Sequence, residues 1–391
     1  MENYGLTSVH EFLGDSVVYR NLVPLDPRLP PLKEIRPHVE VPADVTPRKS
    51  EPAYARVIVH LLRQARALDA PKAAVERLVY LGDTRLNDGT AFANICRAGD
   101  WLGLAFIAAE NGARAHVETV EREEGILYVT NRWTAVGDFH HFCREQNFPL
   151  DERTAVIIDL DKTALGARGR NDHVIDQARV EAVRRTVGEL LGEDFDPESF
   201  RTAYDKLNQP EFHPFTADNQ DYLAYVCLIV GSGLYGLESL VAEVRAGSLR
   251  TFKQFISRVN DHVDELPTDL RQIHSLVHRR VQQGDPTPFK TFRYNEYRTT
   301  IERMGILGVD TPARELLDKE IVITQEVRET ALTWQEQGVL LFGLSDKPDE
   351  ASIPTEELAA QGYLPIHQAQ THAVGESRTS PTPLHWKESE Q

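Results

Sequence analysis

Three cysteines in 391 residues, Cys96, Cys143 and Cys227, are too few and too far apart to frame a fold with disulfides, and no CxxC pair offers a metal clasp. They read as reduced core residues of a cytoplasmic protein. Positive charge is also short: 43 Lys and Arg against 60 Asp and Glu leave a net charge of −17, which argues against a nucleic-acid backbone as the main partner. Long apolar runs are missing too. The longest uncharged stretch, 222–237, is too short and too rich in glycine to predict a membrane span. The opening MENYGLTSVHEF has neither the basic nor the apolar region of a secretory signal. What is present is an ordinary globular composition, 41% hydrophobic, with chain enough for two or three domains.

Prolines at 24, 27, 30, 31, 37, 42 and 47 forbid a long helix near the N-terminus, so residues 1–51 are predicted to form an extended arm lying over the core, with one possible strand at 16–19. Val57, Leu61, Leu62, Ala65 and Leu68 then recur at helical spacing, and Asp69 with Pro71 predicts the start of a second helix carrying Lys72. Apolar runs at 78–81, 103–108, 126–130 and 155–158 alternate with helical segments, the pattern of a doubly wound parallel sheet. From 170 to 335 the pattern is helical throughout, with helices over 180–191, 220–230, 237–246, 252–263, 270–283, 294–304 and 311–337. A strand over 339–344, a helix over 355–361 and a strand-like 363–367 follow. The expected organisation is an α/β core of 52–169 and 336–372, a helical insert of 170–335, and a disordered polar tail of 373–391.

Chemistry concentrates at two strand ends. Ala155-Val156-Ile157-Ile158 runs straight into Asp159-Leu160-Asp161-Lys162-Thr163, and Leu78-Val79-Tyr80-Leu81 into a loop holding Gly82, Asp83, Asp88 and Gly89. In open α/β folds the carboxyl ends of strands are where ligands collect. Of two carboxylates alternating along one strand end, one can act as nucleophile and metal ligand while the other gives and takes a proton. The plainer reading of the first stretch is an acidic turn, whereas glycine on both sides of the second suggests a tightly pinned loop. Arg168 and Arg170 could meet an anionic substrate, although a solvated hinge suits them better, and His140-His141 reads as surface or core histidine. Tyr294, Tyr297 and Ile301 read as interior of the insert.

Together these stretches resemble the haloacid dehalogenase-like superfamily of phosphotransfer enzymes. Its first motif, an apolar strand followed by Asp-x-Asp-x-Thr, matches 156–163; its second, a strand ending in Ser or Thr, matches 339–345; its third, a helix-borne lysine, is matched by Lys72; its fourth, Gly-Asp with a nearby Asp, matches 82–88. The third and fourth motifs here precede the first, so the resemblance implies a circularly permuted core with its termini between the second and third, and a helical cap inserted after the first. It implies Asp159 as nucleophile, Asp161 as general acid and base, Ser345 as a phosphate-binding hydroxyl and Lys72 as the charge-balancing cation. Magnesium would sit on Asp159, the backbone carbonyl of Asp161 and Asp83, with Asp88 as a further ligand or as a support behind them. Thr130, which ends the 126–130 run, competes with Ser345, and Lys347 with Lys72. The implied activity is hydrolysis of a small phosphorylated molecule, with no nucleic-acid or membrane partner. A phosphomutase and a catalytically idle scaffold that binds a phosphorylated ligand or a protein are the alternatives.

Overall fold

Uninterrupted β-branched runs can be buried on both faces only in the middle of a sheet covered by helices, and the fold places them there. The computed structural model describes residues 1–42, 45–217 and 219–377. Its strands are β1 (Glu2–Thr7), β2 (Val17–Val18), β3 (Arg77–Gly82), β4 (Leu102–Ala108), β5 (Val117–Arg122), β6 (Gly125–Thr130), β7 (Thr154–Asp159), β8 (Ile323–Thr324), β9 (Leu340–Leu344) and β10 (Thr371–Gly375). Seven form one sheet in the order β2-β9-β7-β3-β4-β6-β5, and three a second in the order β1-β10-β8. Every neighbouring pair in the larger sheet is parallel except β5 with β6.

The order of crossing decides where a crevice can open. From β3 the chain steps to β4 and on to β6, then returns to lay β7 against the opposite side of β3, and continues to β9. The direction of winding therefore reverses between β3 and β7. Connections leave these two strands on opposite faces, which opens a crevice at their carboxyl ends. Helices Pro52–Asp69 and Asn87–Gly99 seal one face of the sheet, burying Val57, Ile58, Leu61 and Leu62 from the first and Phe92, Ile95 and Cys96 from the second.

Several expectations are corrected. The N-terminal residues are part of the sheets rather than a cover: β2 extends the main sheet beside β9, and β1 pairs antiparallel with β10 from Glu2↔Gly375 to Thr7↔Thr371. No second helix starts at Asp69; helix Pro52–Asp69 runs to that residue and a turn follows. The helix expected over 311–337 is divided, because Ile321-Val322-Ile323-Thr324 is β-branched throughout and its last two residues pair as β8 with β10. The final strand is Thr371–Gly375 rather than 363–367, and the antiparallel β5 makes the sheet mixed. Of the disordered tail expected over 373–391, residues 373–375 instead belong to β10, and 378–391 lie outside the described residues.

By compactness the chain forms two units, one of Met1–Asp176, Thr300–Ile353 and Leu358 onward, the other of Gln177–Thr299 with Pro354–Glu357. The helical region is thus narrower than 170–335, since β8 and its flanks belong with the sheets. The second unit has its own core, in which Phe200, Tyr204, Phe215, Tyr225, Phe252 and Phe255 are buried together. Among the described residues no helix is long and apolar enough to cross a membrane.

Inside that second core lies one titratable group that must stay neutral. The Tyr225 hydroxyl meets His274 Nδ1 at 2.5 Å and Asn260 Oδ1 lies 3.3 Å from Nε2. Burial, reinforced by neighbouring His278, pushes the imidazole down to about 4. An unfolded histidine titrates near 6.5, so between about 6.5 and 4 the unfolded chain binds the extra proton. Stability from this site is therefore complete above about pH 6.5 and falls as pH drops toward 4. Thermal melts of the wild type and His274→Gln over that range should show the wild type losing more stability on acidification. Equal slopes would show that His274 does not drive the loss.

Candidate functional site

Asp159 is the last residue of β7, Asp83 follows β3 and Ser345 follows β9, and these three strands are neighbours with β7 in the middle. The register pairs Ile158 with both Leu81 and Gly343 and Asp159 with Leu344, so Asp83 and Ser345 leave the sheet one residue beyond Asp159 on its two flanks. Strand spacing alone sets β3 and β9 each about 5 Å from β7. Thr130 ends β6, three strands from β7 and so about 14 Å away; its hydroxyl donates to His116 O at 3.0 Å and holds the β5–β6 end of the sheet. Position in the sheet thus favours Ser345.

Carboxylate oxygens of Asp83, Asp88 and Asp159 lie within 4.8 Å of one another, and all three residues are buried. Among the described residues no other cluster of His, Cys, Asp or Glu is close enough to share an ion, His140 and His141 included. Gly82 makes the approach possible, since a Cβ there would lie 2.6 Å from Asp88 Cγ. Asp88 also shapes its own loop. Its Oδ2 accepts from the Asp83 and Thr84 amides at 3.1 and 2.8 Å and from the Thr84 hydroxyl at 2.7 Å. Its Oδ1 accepts from Tyr80 Oη at 3.2 Å. So many donors make Asp88 a support for the site, with Asp83 and Asp159 better placed to face an ion.

The cation expected at Lys72 comes instead from Lys49. Its ammonium is buried between Asp88 Oδ1, at 2.7 Å, and Asp159 Oδ1, which it contacts directly. Lys72 is exposed. Lys49 stands just before helix Pro52–Asp69 and Lys72 just after it, and an α-helix of that length spans about 27 Å. The two lysines therefore belong to opposite ends of the sheet, and only the one before the helix reaches the carboxyl edge. The sequence did carry a signal, a lysine three residues ahead of a helix-opening proline, but it lay inside the segment read as a passive arm.

The loop after β7 is held from several directions. Thr163 donates its hydroxyl to Asp159 Oδ2 at 3.1 Å. Thr324 of β8 donates its own hydroxyl to Thr163 O at 2.5 Å and its amide to Ala164 O at 2.9 Å. Lys162 adopts a left-handed φ of 65° and pairs with Asp176 at 2.9 Å. Asp161, Ser345 and Lys347 border one small cavity, otherwise lined mainly by apolar side chains including Leu160, Leu165 and Ile366. Lys347 donates to Thr300 Oγ1 at 3.3 Å and its amide donates to Ser345 Oγ at 3.1 Å. Arg170 is no solvated hinge: it is buried in ion pairs with Glu110 and Glu326 at 2.7 and 2.9 Å. Arg168 pairs through Nε with Asp83.

The electrostatics of this arrangement are unbalanced. Burial alone would lower Lys49, but Asp159 and Asp88 hold its ammonium charged well above the ordinary range. Burial likewise works to raise Asp88, and there Lys49 and the Thr84 donors win and hold the carboxyl low. Burial pushes Asp159 upward in spite of Lys49, with Asp88 and Asp83 adding repulsion. Asp83 is pushed up to about 7 by burial and by Asp88, with Arg168 opposing. Three carboxylates face two cations here, so one negative charge lacks a partner.

Both the placement of the lysines and the charge imbalance can be measured. Lys49→Met leaves Asp88 and Asp159 without their shared counter-charge and should cost about 3–5 kcal/mol of stability, whereas Lys72→Ala should leave the denaturant midpoint unchanged. The reverse ranking would refute the placement of the two lysines. For Asp83, a folded value near 7 against an ordinary 3.8 means the folded state holds the proton more tightly between those limits. Metal-free protein should therefore lose stability as pH rises from about 4 through about 7, and millimolar Mg²⁺ should restore more of it at pH 8 than at pH 5. Melts at the two pH values, with and without MgCl₂, read both effects.

No family model, curated protein or solved structure matches this chain.

Proposed function

We propose that this chain is a Mg²⁺-dependent phosphohydrolase of the haloacid dehalogenase-like type, acting on a small phosphorylated molecule, in a circularly permuted form. The observation that carries the reading is the meeting of Asp159, Asp83, Asp88 and Lys49 at the carboxyl ends of β7 and β3. These residues come from three loops far apart in sequence and converge where the winding reverses. In support of the permutation, the first and last described strands, β1 and β10, pair with each other.

The donor set suits magnesium. Carboxylate oxygens from Asp83 and Asp159, with Asp88 beside them and the Asp161 carbonyl at the loop, are hard ligands of the type this ion selects. Bound there, the ion would supply the positive charge the three carboxylates lack and neutralise phosphoryl oxygens. The chain's own residues do the rest. The Asp159 carboxylate attacks phosphorus in line, a P–O bond forms to Asp159, and the ester P–O bond breaks. Asp161 gives its proton to the departing alkoxide, then removes one from the water that cleaves the aspartyl-phosphate, releasing phosphate and restoring Asp159. Thr163 and Lys49 orient the nucleophile through its two oxygens. Ser345 takes a phosphoryl oxygen, and Lys49 replaces Lys72 as the balancing cation.

Asp159→Asn should abolish release of p-nitrophenol from p-nitrophenyl phosphate, a loss of at least about 10³-fold, and EDTA should do the same to the wild type. Asp161→Asn should slow turnover by about 10²–10⁴-fold while leaving Mg²⁺ affinity within a few-fold. Undiminished turnover by Asp159→Asn would refute the mechanism. A wild type that binds Mg²⁺ but releases no phosphate from a broad panel of monoesters would favour the idle scaffold.

A further inference from the structure

Arg168 lies outside the residues that the family resemblance assigns, yet its backbone is fixed more firmly than a hinge needs. Its amide donates to Lys162 O at 2.8 Å, and its carbonyl accepts from the Glu110 amide at 3.0 Å and from Trp133 Nε1 at 3.2 Å. The next residue, Gly169, has φ +77° and sits so close to β4's exit that a Cβ would lie 1.9 Å from Glu110 O. The position after Arg168 therefore accepts glycine and little else. The result is a guanidinium delivered from a rigid base to Asp83, which Nε contacts at Oδ2.

A guanidinium has five N–H donors, and the Asp83 contact uses one. Among the described residues, Nη1 and Nη2 donate no hydrogen bond, and the side chain remains 36% exposed. Its fork thus stays open beside a carboxylate that lies within 4.8 Å of the Asp159 oxygens. Two coplanar donors at this spacing match two oxygens of a tetrahedral oxyanion. We propose that Arg168 is an anion-binding residue of this site, holding two phosphoryl oxygens on Nη1 and Nη2 while Nε stays on Asp83. The inference rests on the phosphohydrolase reading and adds a group to it. A consequence separates it from a structural role. The same positive charge that attracts phosphate repels a divalent cation on Asp83, so losing Arg168 acts in opposite directions on the two ligands.

The test is titration calorimetry of the full chain with Mg²⁺ alone and with inorganic phosphate in saturating Mg²⁺, on the wild type, Arg168→Met and Arg168→Lys. Arg168→Met should bind phosphate at least about tenfold more weakly and Mg²⁺ several-fold more tightly. Arg168→Lys keeps charge but loses the fork, so its Mg²⁺ affinity should match the wild type while phosphate binding still weakens. Thermal melts establish that each variant is folded, and Arg168→Lys alone decides the matter if the methionine variant is not. Phosphate affinity unchanged in Arg168→Lys and in any folded Arg168→Met would overturn the proposal and leave the phosphohydrolase reading standing. A wild type that binds neither Mg²⁺ nor phosphate would overturn both.

Discussion

Carboxylates do not share a buried site unless positive charge is buried with them. Asp83, Asp88 and Asp159 satisfy that condition through Lys49 and Arg168, one on each side of the cluster. Much of the first unit can be read as the means of holding those five groups in place. The Pro-rich N-terminal residues bring Lys49 to the edge of the sheet. Gly82 lets Asp88 lie against the backbone of β3, and Asp88 in turn gathers the amides of its own loop. The loop after β7 ties Asp159 through Thr163 to Thr324 in the second sheet.

The parallel sheet makes this convergence possible. Parallel strands send all their carboxyl ends to one edge. β9, β7 and β3 sit side by side, so groups separated by more than 250 residues of chain meet over about two strand spacings. Reversal of the winding between β7 and β3 opens the space in which they meet. The order in which the loops occur along the chain is then immaterial. A permuted sequence and an unpermuted one can present the same charges at the same edge, provided the ends are adjacent. Here the first and last described strands, β1 and β10, form one ladder.

A charge imbalance of this kind is a liability to folding and an asset to chemistry. Asp83 is held near 7 and Asp159 is pushed upward because burial resists a further negative charge. Such perturbed carboxyls concentrate where a protein uses them. A hard divalent ion bound there would relieve the repulsion and would link metal affinity, proton release and stability of the first unit in one equilibrium.

Local pattern alone fixed much of this. The buried strands at 78–81, 103–108, 126–130 and 155–158 read directly from their β-branched runs, and Asp83, Asp88 and Asp159 stood out because polar residues follow such runs abruptly. Both are properties of neighbouring residues, and periodicity reports neighbours well. Lys49 was not legible in the same way. Whether a lysine before or after helix Pro52–Asp69 reaches the acids depends on which end of the sheet that helix starts from, and no local pattern encodes it. Nor does composition show that Ile321-Val322-Ile323-Thr324 leaves a helical region to join β10, or that Ser345 lies beside β7 while Thr130 lies three strands off. The sequence by itself determined the central parallel strands and where acids end them. Tertiary structure decided which cation meets those acids and which hydroxyl stands next to them, because long-range contacts are set by strand order and the direction of winding.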